Sequence, residues 1–142
     1  ETAALPSKDQ PATDRGCFVI DFQNGAVYKL NQVDPQVGHD SVAPLLLQDE
    51  TVAAAFKGAR DMVVFTSKRI IAVNVQGLTG KKVDYSSLPY ARIQAFSVET
   101  AGAMDRDSEL EVWFSGLGKV KLEFGCSVDI KWIGQWIGFH CL

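Results

Sequence analysis

Two histidines and three cysteines are all that this 142-residue chain offers a soft metal, and no two of them stand at ligand spacing. Cys17, Cys126 and Cys141 form no C-x-x-C pair, and their odd number leaves no complete disulfide framework, so they read as ordinary thiols. His39 and His140 lie far apart, and neither sits beside a nucleophile in a recognisable motif. No apolar run approaches the ~20 residues that span a bilayer. These absences leave no residue assigned as catalytic, metal-ligating or cofactor-binding, and they favour a non-enzyme without cofactors. The cytoplasm is the expected compartment, with a place at the membrane periphery as the lesser alternative. Residues 1–16 lack a signal-type apolar segment and read as a mobile leader. Glu1 in place of Met suits removal of an upstream piece, which leaves export open.

What is present is a soluble globular composition, 46% hydrophobic and 22% charged, of a length that suits one domain. From residue 51 onward the period is two. Val52, Ala54 and Phe56 alternate with polar or small neighbours, Met62–Thr66 is continuously apolar, and Ser67-Lys68 turns the chain into Arg69–Gln76. Lys82–Ser86 and Arg92–Thr100 follow as strands on either side of Pro89. Leu110, Val112 and Phe114, then Val120, Leu122 and Phe124, make a hairpin about Gly116-Leu117-Gly118. The period then lengthens: Trp132, Ile133, Trp136, Ile137 and His140 share one helical face, with Ser127 as the expected cap and Asp129 in the first turn.

The N-terminal third is less regular. Asn24-Gly25 between apolar runs predicts a hairpin over 17–30, with a helix as the competing reading. Asp34-Pro35 predicts a helix start whose Val37, Val42, Leu45 and Leu46 turn inward, with a break at Pro44. The expected organisation is a leader at 1–16, an N-terminal extension at 17–50 and a mainly β domain at 51–142.

The residue pattern from 56 to 102 is more specific than the strand count. Phe56-Lys57, Arg60-Asp61, Phe65-Thr66, Lys68-Arg69, Gly77 with Thr79-Gly80-Lys81-Lys82, Pro89-Tyr90, and Phe96 with Val98-Glu99-Thr100-Ala101-Gly102 closely resemble the bacterial pleckstrin-homology family. The stretch VDPQVGHDSVAPLLLQDE resembles the family's helical lead-in, and the likeness covers roughly residues 33–142. The resemblance implies a seven-stranded antiparallel barrel or sandwich capped by the C-terminal helix, without catalysis. It also implies a homo-oligomer, with a ring as one form. Fold alone does not carry a ligand over.

Charge is spread unevenly. Residues 57–92 hold Lys57, Arg60, Lys68, Arg69, Lys81, Lys82 and Arg92 against Asp61 and Asp84, while the chain as a whole is at −3. These seven cations are the candidate ligand or interface residues, and Asp105, Asp107, Glu109 and Glu111 are a candidate complementary acidic surface for another copy. Lys57 and Arg60 begin the basic pattern of lipid-binding relatives, but Met62 follows where a cation is required, so a membrane lipid is not the expected partner. Gly77–Lys82 is too short for a phosphate loop and lacks its hydroxyl. Nucleic acid is excluded because Phe56, Phe65 and Phe96 fall at core positions and the pI is near 5.3. The acidic alternation lacks the glycine and bidentate Glu of a calcium loop, with Leu110 and Gly116 in their places. The expected function is therefore protein–protein interaction through homo-oligomerisation with an unknown protein partner. Binding of an anionic small molecule or head group by a basic rim is the alternative.

Overall fold

Strands form where the period-two pattern and β-branched residues run together, and the computed structural model, which describes residues 25–76 and 82–142, places them in one sheet. The strands are β1 (Gly25–Val33), β2 (Val52–Lys57), β3 (Asp61–Thr66), β4 (Arg69–Gln76), β5 (Lys82–Pro89), β6 (Ile93–Glu99), β7 (Ser108–Phe114) and β8 (Gly118–Phe124). Helix α1 (Pro35–Val42) follows β1, and α2 (Ile130–Cys141) ends the chain. Single 3₁₀ turns occupy Ala43–Leu45 and Tyr90–Arg92.

The spatial order is β5-β4-β3-β2-β1-β8-β7-β6, which corrects the expected seven-stranded antiparallel barrel in two respects. The described sheet has eight strands, and it is open, with β5 and β6 at its free edges. The added strand is β1, antiparallel to β2 and parallel to β8. Gly25–Leu30, the second arm of the expected hairpin, is strand and not helix; the 17–24 half of that expectation, with its turn, lies outside the described residues. The register of β1 on β8 shifts between Val27 and Leu30, and Lys29 takes a left-handed φ of 55° there. That irregularity lets β1 leave one half of the sheet and join the other. Leu30, directly after it, is fully buried.

The strand patterns explain the two-sided packing. On β7 and β8 alternate residues Leu110, Val112, Phe114, Val120, Leu122 and Phe124 face the main core. Phe56 meets Phe65 and Phe124 edge to face, at centroid distances of 5.6 and 5.1 Å. Strand β3 is apolar from Met62 to Phe65 because both its faces are covered there. Val63 and Phe65 belong to the main core, while Met62 and Val64 join Ala55, Ile71, Val73 and Val42 in a second cluster under α1.

Asp34 caps α1 as expected, accepting from the Gln36 N–H at 2.8 Å with Pro35 in the first turn. Val42 is buried and Leu46 packs partly against the second cluster, but Val37 and Leu45 stay exposed, contrary to expectation. The helix rests on the sheet through Gly38, which turns Val37 outward, and the 3₁₀ turn about Pro44 rotates Leu45 off the sheet. Helix α2 is capped by Asp129, whose carboxylate accepts from the Trp132 N–H at 3.2 Å; Ser127 is exposed and lies outside the cap. Ile130, Ile133 and Ile137 enter the main core, each contributing roughly 1.5–3 kcal/mol by burial, and Trp132 and Trp136 pack at its margin.

A Cβ at Gly38 would lie 2.5 Å from Ala55 Cβ, so any side chain there lifts α1 from β2. Gly38→Ala is expected to cost about 1–3 kcal/mol in urea unfolding, despite alanine's better helix propensity. An unchanged or raised midpoint would contradict this seating of α1.

Candidate functional site

The polar centre of the molecule is Glu50, which the sequence reading passed over. Its side chain is fully buried, in the segment between the Ala43–Leu45 turn and β2. Arg69, the first residue of β4, meets it with two nitrogens: Nε donates to Oε2 at 3.0 Å and Nη2 to Oε1 at 2.9 Å. Thr66 Oγ1 donates to Oε2 at 2.5 Å, and the Leu47 N–H donates to Oε1 at 3.2 Å. Arg69 also donates from Nη2 to the Leu45 carbonyl at 2.7 Å and from Nη1 to Ser87 Oγ on β5 at 3.0 Å. Burial pushes the Glu50 carboxyl up, but the hydrogen bonds from Arg69, Thr66 and Leu47 and the Arg69 charge outweigh it and hold the group below its ordinary value.

Thr66 continues this network into the helix. Its carbonyl accepts from the Tyr90 hydroxyl at 2.7 Å, and Tyr90 Oη in turn accepts from Trp136 Nε1 at 2.9 Å. Burial, opposed by the Trp136 hydrogen bond and aided by the Glu50 charge, moves the Tyr90 phenol above its ordinary value, so it remains a donor. His140 stacks on Tyr90 at 4.8 Å and tilts against Trp136 at 4.5 Å. Its Nε2 is buried without a hydrogen-bond partner, and burial lowers the imidazole's pKa. The arrangement fixes α2 in place.

The basic residues named from sequence fall into two groups at opposite ends of the sheet. Lys57 and Arg60 flank the β2–β3 turn, and the register Asp61–Asn74–Asp84 with Gln76 opposite Lys82 brings Lys82 to that end. Lys68, Arg69 and Arg92 lie at the other end, where the Lys68 carbonyl accepts from the Tyr90 N–H and Arg69 lies opposite Pro89. Lys81 lies outside the described residues. Arg69 was expected on a basic rim; instead its guanidinium is turned into the Glu50 centre with its side chain 18% exposed. Lys68 Nζ lies 3.6 Å from the Asp49 carboxylate.

The acidic candidates divide too. Glu109 and Glu111 project from β7 toward β8, where Lys121 Nζ reaches Glu109 at 2.9 Å and Lys119 Nζ reaches Glu111 at 3.4 Å. These two carboxylates are thus already matched within the chain. Asp105 and Asp107 remain on the loop before β7, where Asp105 Oδ1 accepts from the Asp107 N–H at 3.1 Å. Burial, together with a hydrogen bond and repulsion from Asp107, raises the Glu123 carboxyl's pKa. Among the described residues no three His, Cys, Asp or Glu side chains gather as a metal site, and no helix is long and apolar enough to cross a membrane.

The family model for the bacterial PH domain matches residues 21–140. The chain belongs to the bacterial PH domain family. This bacterial PH domain is 47% identical over 95 residues to YjqA of Bacillus subtilis, itself uncharacterised, covering 67% of this chain and 76% of that protein. Among solved structures it is similar to a DUF1696-family protein with a pleckstrin-homology domain from Shewanella loihica. The TM-score is 0.72 at 38% identity, covering 82% of this chain and all of the other. A pleckstrin-homology domain from Shewanella amazonensis matches with TM-score 0.61 and 41% identity, covering 78% and 90%.

Removing one partner of the Glu50–Arg69 pair leaves the other buried and uncompensated, so Glu50→Ala should cost about 3–5 kcal/mol in chemical unfolding. Two groups of this network contribute separate steps to the pH dependence. His140, depressed in the folded state, withdraws stability as pH falls below its ordinary 6.5 toward the folded value. Glu50 contributes stability that is complete above its ordinary 4.5 and is lost as pH falls from there through its lowered folded value. Thermal melts across pH should show His140→Phe flattening the upper step and leaving the lower one.

Proposed function

We propose that this bacterial PH domain is a non-catalytic interaction module that works as a homo-oligomer. The observation that carries the reading is the open sheet, in which β5 and β6 have free edges among the described residues. An unpaired strand edge presents a row of N–H and C=O groups ready to pair with another chain. Two different edges on one subunit support head-to-tail contact, which closes into a ring when the rotation allows it. Apolar side chains at the two edges favour burial there: Val83 and Tyr85 of β5 and Val98 of β6 are all more than a third exposed.

A second reading, an anionic head group at the β2–β3 end, is favoured by the register that brings Lys57, Arg60 and Lys82 together. Asp61 and Asp84 share that end and reduce its positive field.

Light scattering at micromolar concentration should give a mass several times that of the 15.5 kDa subunit. Tyr85→Lys on the β5 edge should lower that mass, because an edge lysine opposes strand addition. A monomer at every concentration and salt would end the first reading. Flotation with anionic vesicles tests the second, which requires retention that Lys57→Glu with Lys82→Glu abolishes.

A further inference from the structure

We propose that the pocket between β1, β2 and the start of α2 receives the side chain of one arginine or lysine from a partner protein. The pocket is open to solvent on one side and has a volume of about 280 Å³. That lies at the lower edge of the ~300–1,000 Å³ typical of small-molecule sites, and it suits a single side chain better than a cofactor. Its apolar lining is Ala53, Ala54 and Phe56 from β2, Val128, and the indole of Trp132. Trp132 stacks on Trp136, with centroids 5.5 Å apart and planes at 19°, which holds that wall in one orientation.

Two polar groups complete the lining, Gln32 and Asp129. One Asp129 oxygen accepts from the Trp132 N–H; the other oxygen has no partner among the described residues, and no lysine or arginine among them pairs with this carboxylate. The Gln32 side-chain amide is likewise unengaged among the described residues. An exposed carboxylate that caps α2 through one oxygen and carries no ion pair among the described residues, with an exposed amide carbonyl beside the apolar pocket, is complementary to an aliphatic stem that ends in a cationic donor. The indole wall adds attraction for a guanidinium or ammonium group. An acidic or neutral polar tip would meet the carboxylate without compensation, so the charge selects the occupant. This pocket is separate from the β5 and β6 edges, and the inference does not depend on assembly through them.

The test is a titration of the full chain with N-acetyl-arginine amide, N-acetyl-lysine amide and N-acetyl-norleucine amide. It is followed by NMR at the Trp132 indole N–H and the Gln32 side-chain amide. Saturable shifts are expected with the arginine and lysine compounds and not with norleucine. Asp129→Asn keeps an oxygen for the helix cap while removing the charge, and should weaken binding about tenfold or more, the scale of one charged hydrogen bond. Thermal melting of this variant checks that α2 stays folded. Equal binding of norleucine, no shift with either cation, or binding undiminished in Asp129→Asn would overturn the inference. Trp132 shifts that depend on protein concentration without any added amide, and that vanish in Asp129→Asn, would place a second copy in the pocket and overturn it as well.

Discussion

A carboxylate closed away from water must be answered at every oxygen, and in this bacterial PH domain that requirement organises the space around Glu50. Arg69 and Thr66, from the β3–β4 turn, and the Leu47 N–H, from the lead-in segment, supply the answer. Because Arg69 also grips the Leu45 carbonyl and Ser87, the charge pair ties the lead-in segment to β3, β4 and β5 together. The Thr66 carbonyl passes the constraint through Tyr90 to Trp136, and so to α2. A buried ion pair of this kind adds little net stability over a well-packed apolar substitute, yet each partner makes the loss of the other costly. Here its contribution is geometric, because both helices take their positions from strands that the pair holds in register.

Much of the fold was legible because burial leaves a period. The turn at Ser67-Lys68, the limits of β4 and the hairpin about Gly116–Gly118 follow from alternation alone, and the resemblance in residues 56–102 points to the family. The place of β1 in the sheet was hidden because Asn24-Gly25 is a local signal, whereas the strand's parallel neighbour is β8, at the far end of the chain. Openness of the sheet was equally hidden, since closure depends on strand order and not on the pattern within any strand. Val37 and Leu45 were misplaced because the helical period was carried past Gly38 and Pro44, where close approach and a tightened turn override it.

Of the candidate site, the sequence showed which residues carry charge but not which charges are answered. Arg69 looks like its neighbour Lys68 in a list of cations, yet Arg69 is locked to a buried carboxylate and Lys68 only approaches an exposed one. Their difference rests on Glu50, nineteen positions earlier, and no local spacing reveals that pair. Glu109 and Glu111 were similarly read as a surface for another molecule, when the next strand carries Lys119 and Lys121 to meet them. A single alternating pattern of charge on adjacent strands is as well explained by self-compensation as by a partner.

The parallel pairing of β1 with β8 has a consequence for the order in which the chain becomes structured. Gly25 lies opposite Val120 and Leu30 opposite Phe124, so β1 finds that neighbour only after almost the whole domain has been synthesised. Until then β1 can pair with β2 alone, through the short register from Asn31 to Val33, and Leu30 has no Phe124 to cover it. Contacts of such large sequence separation carry a high loop-closure entropy and form late. The strand that joins the two halves of the sheet is therefore among the first parts of the domain to leave the ribosome and among the last to be fixed, and the main core is sealed by closing the beginning of the domain on its end.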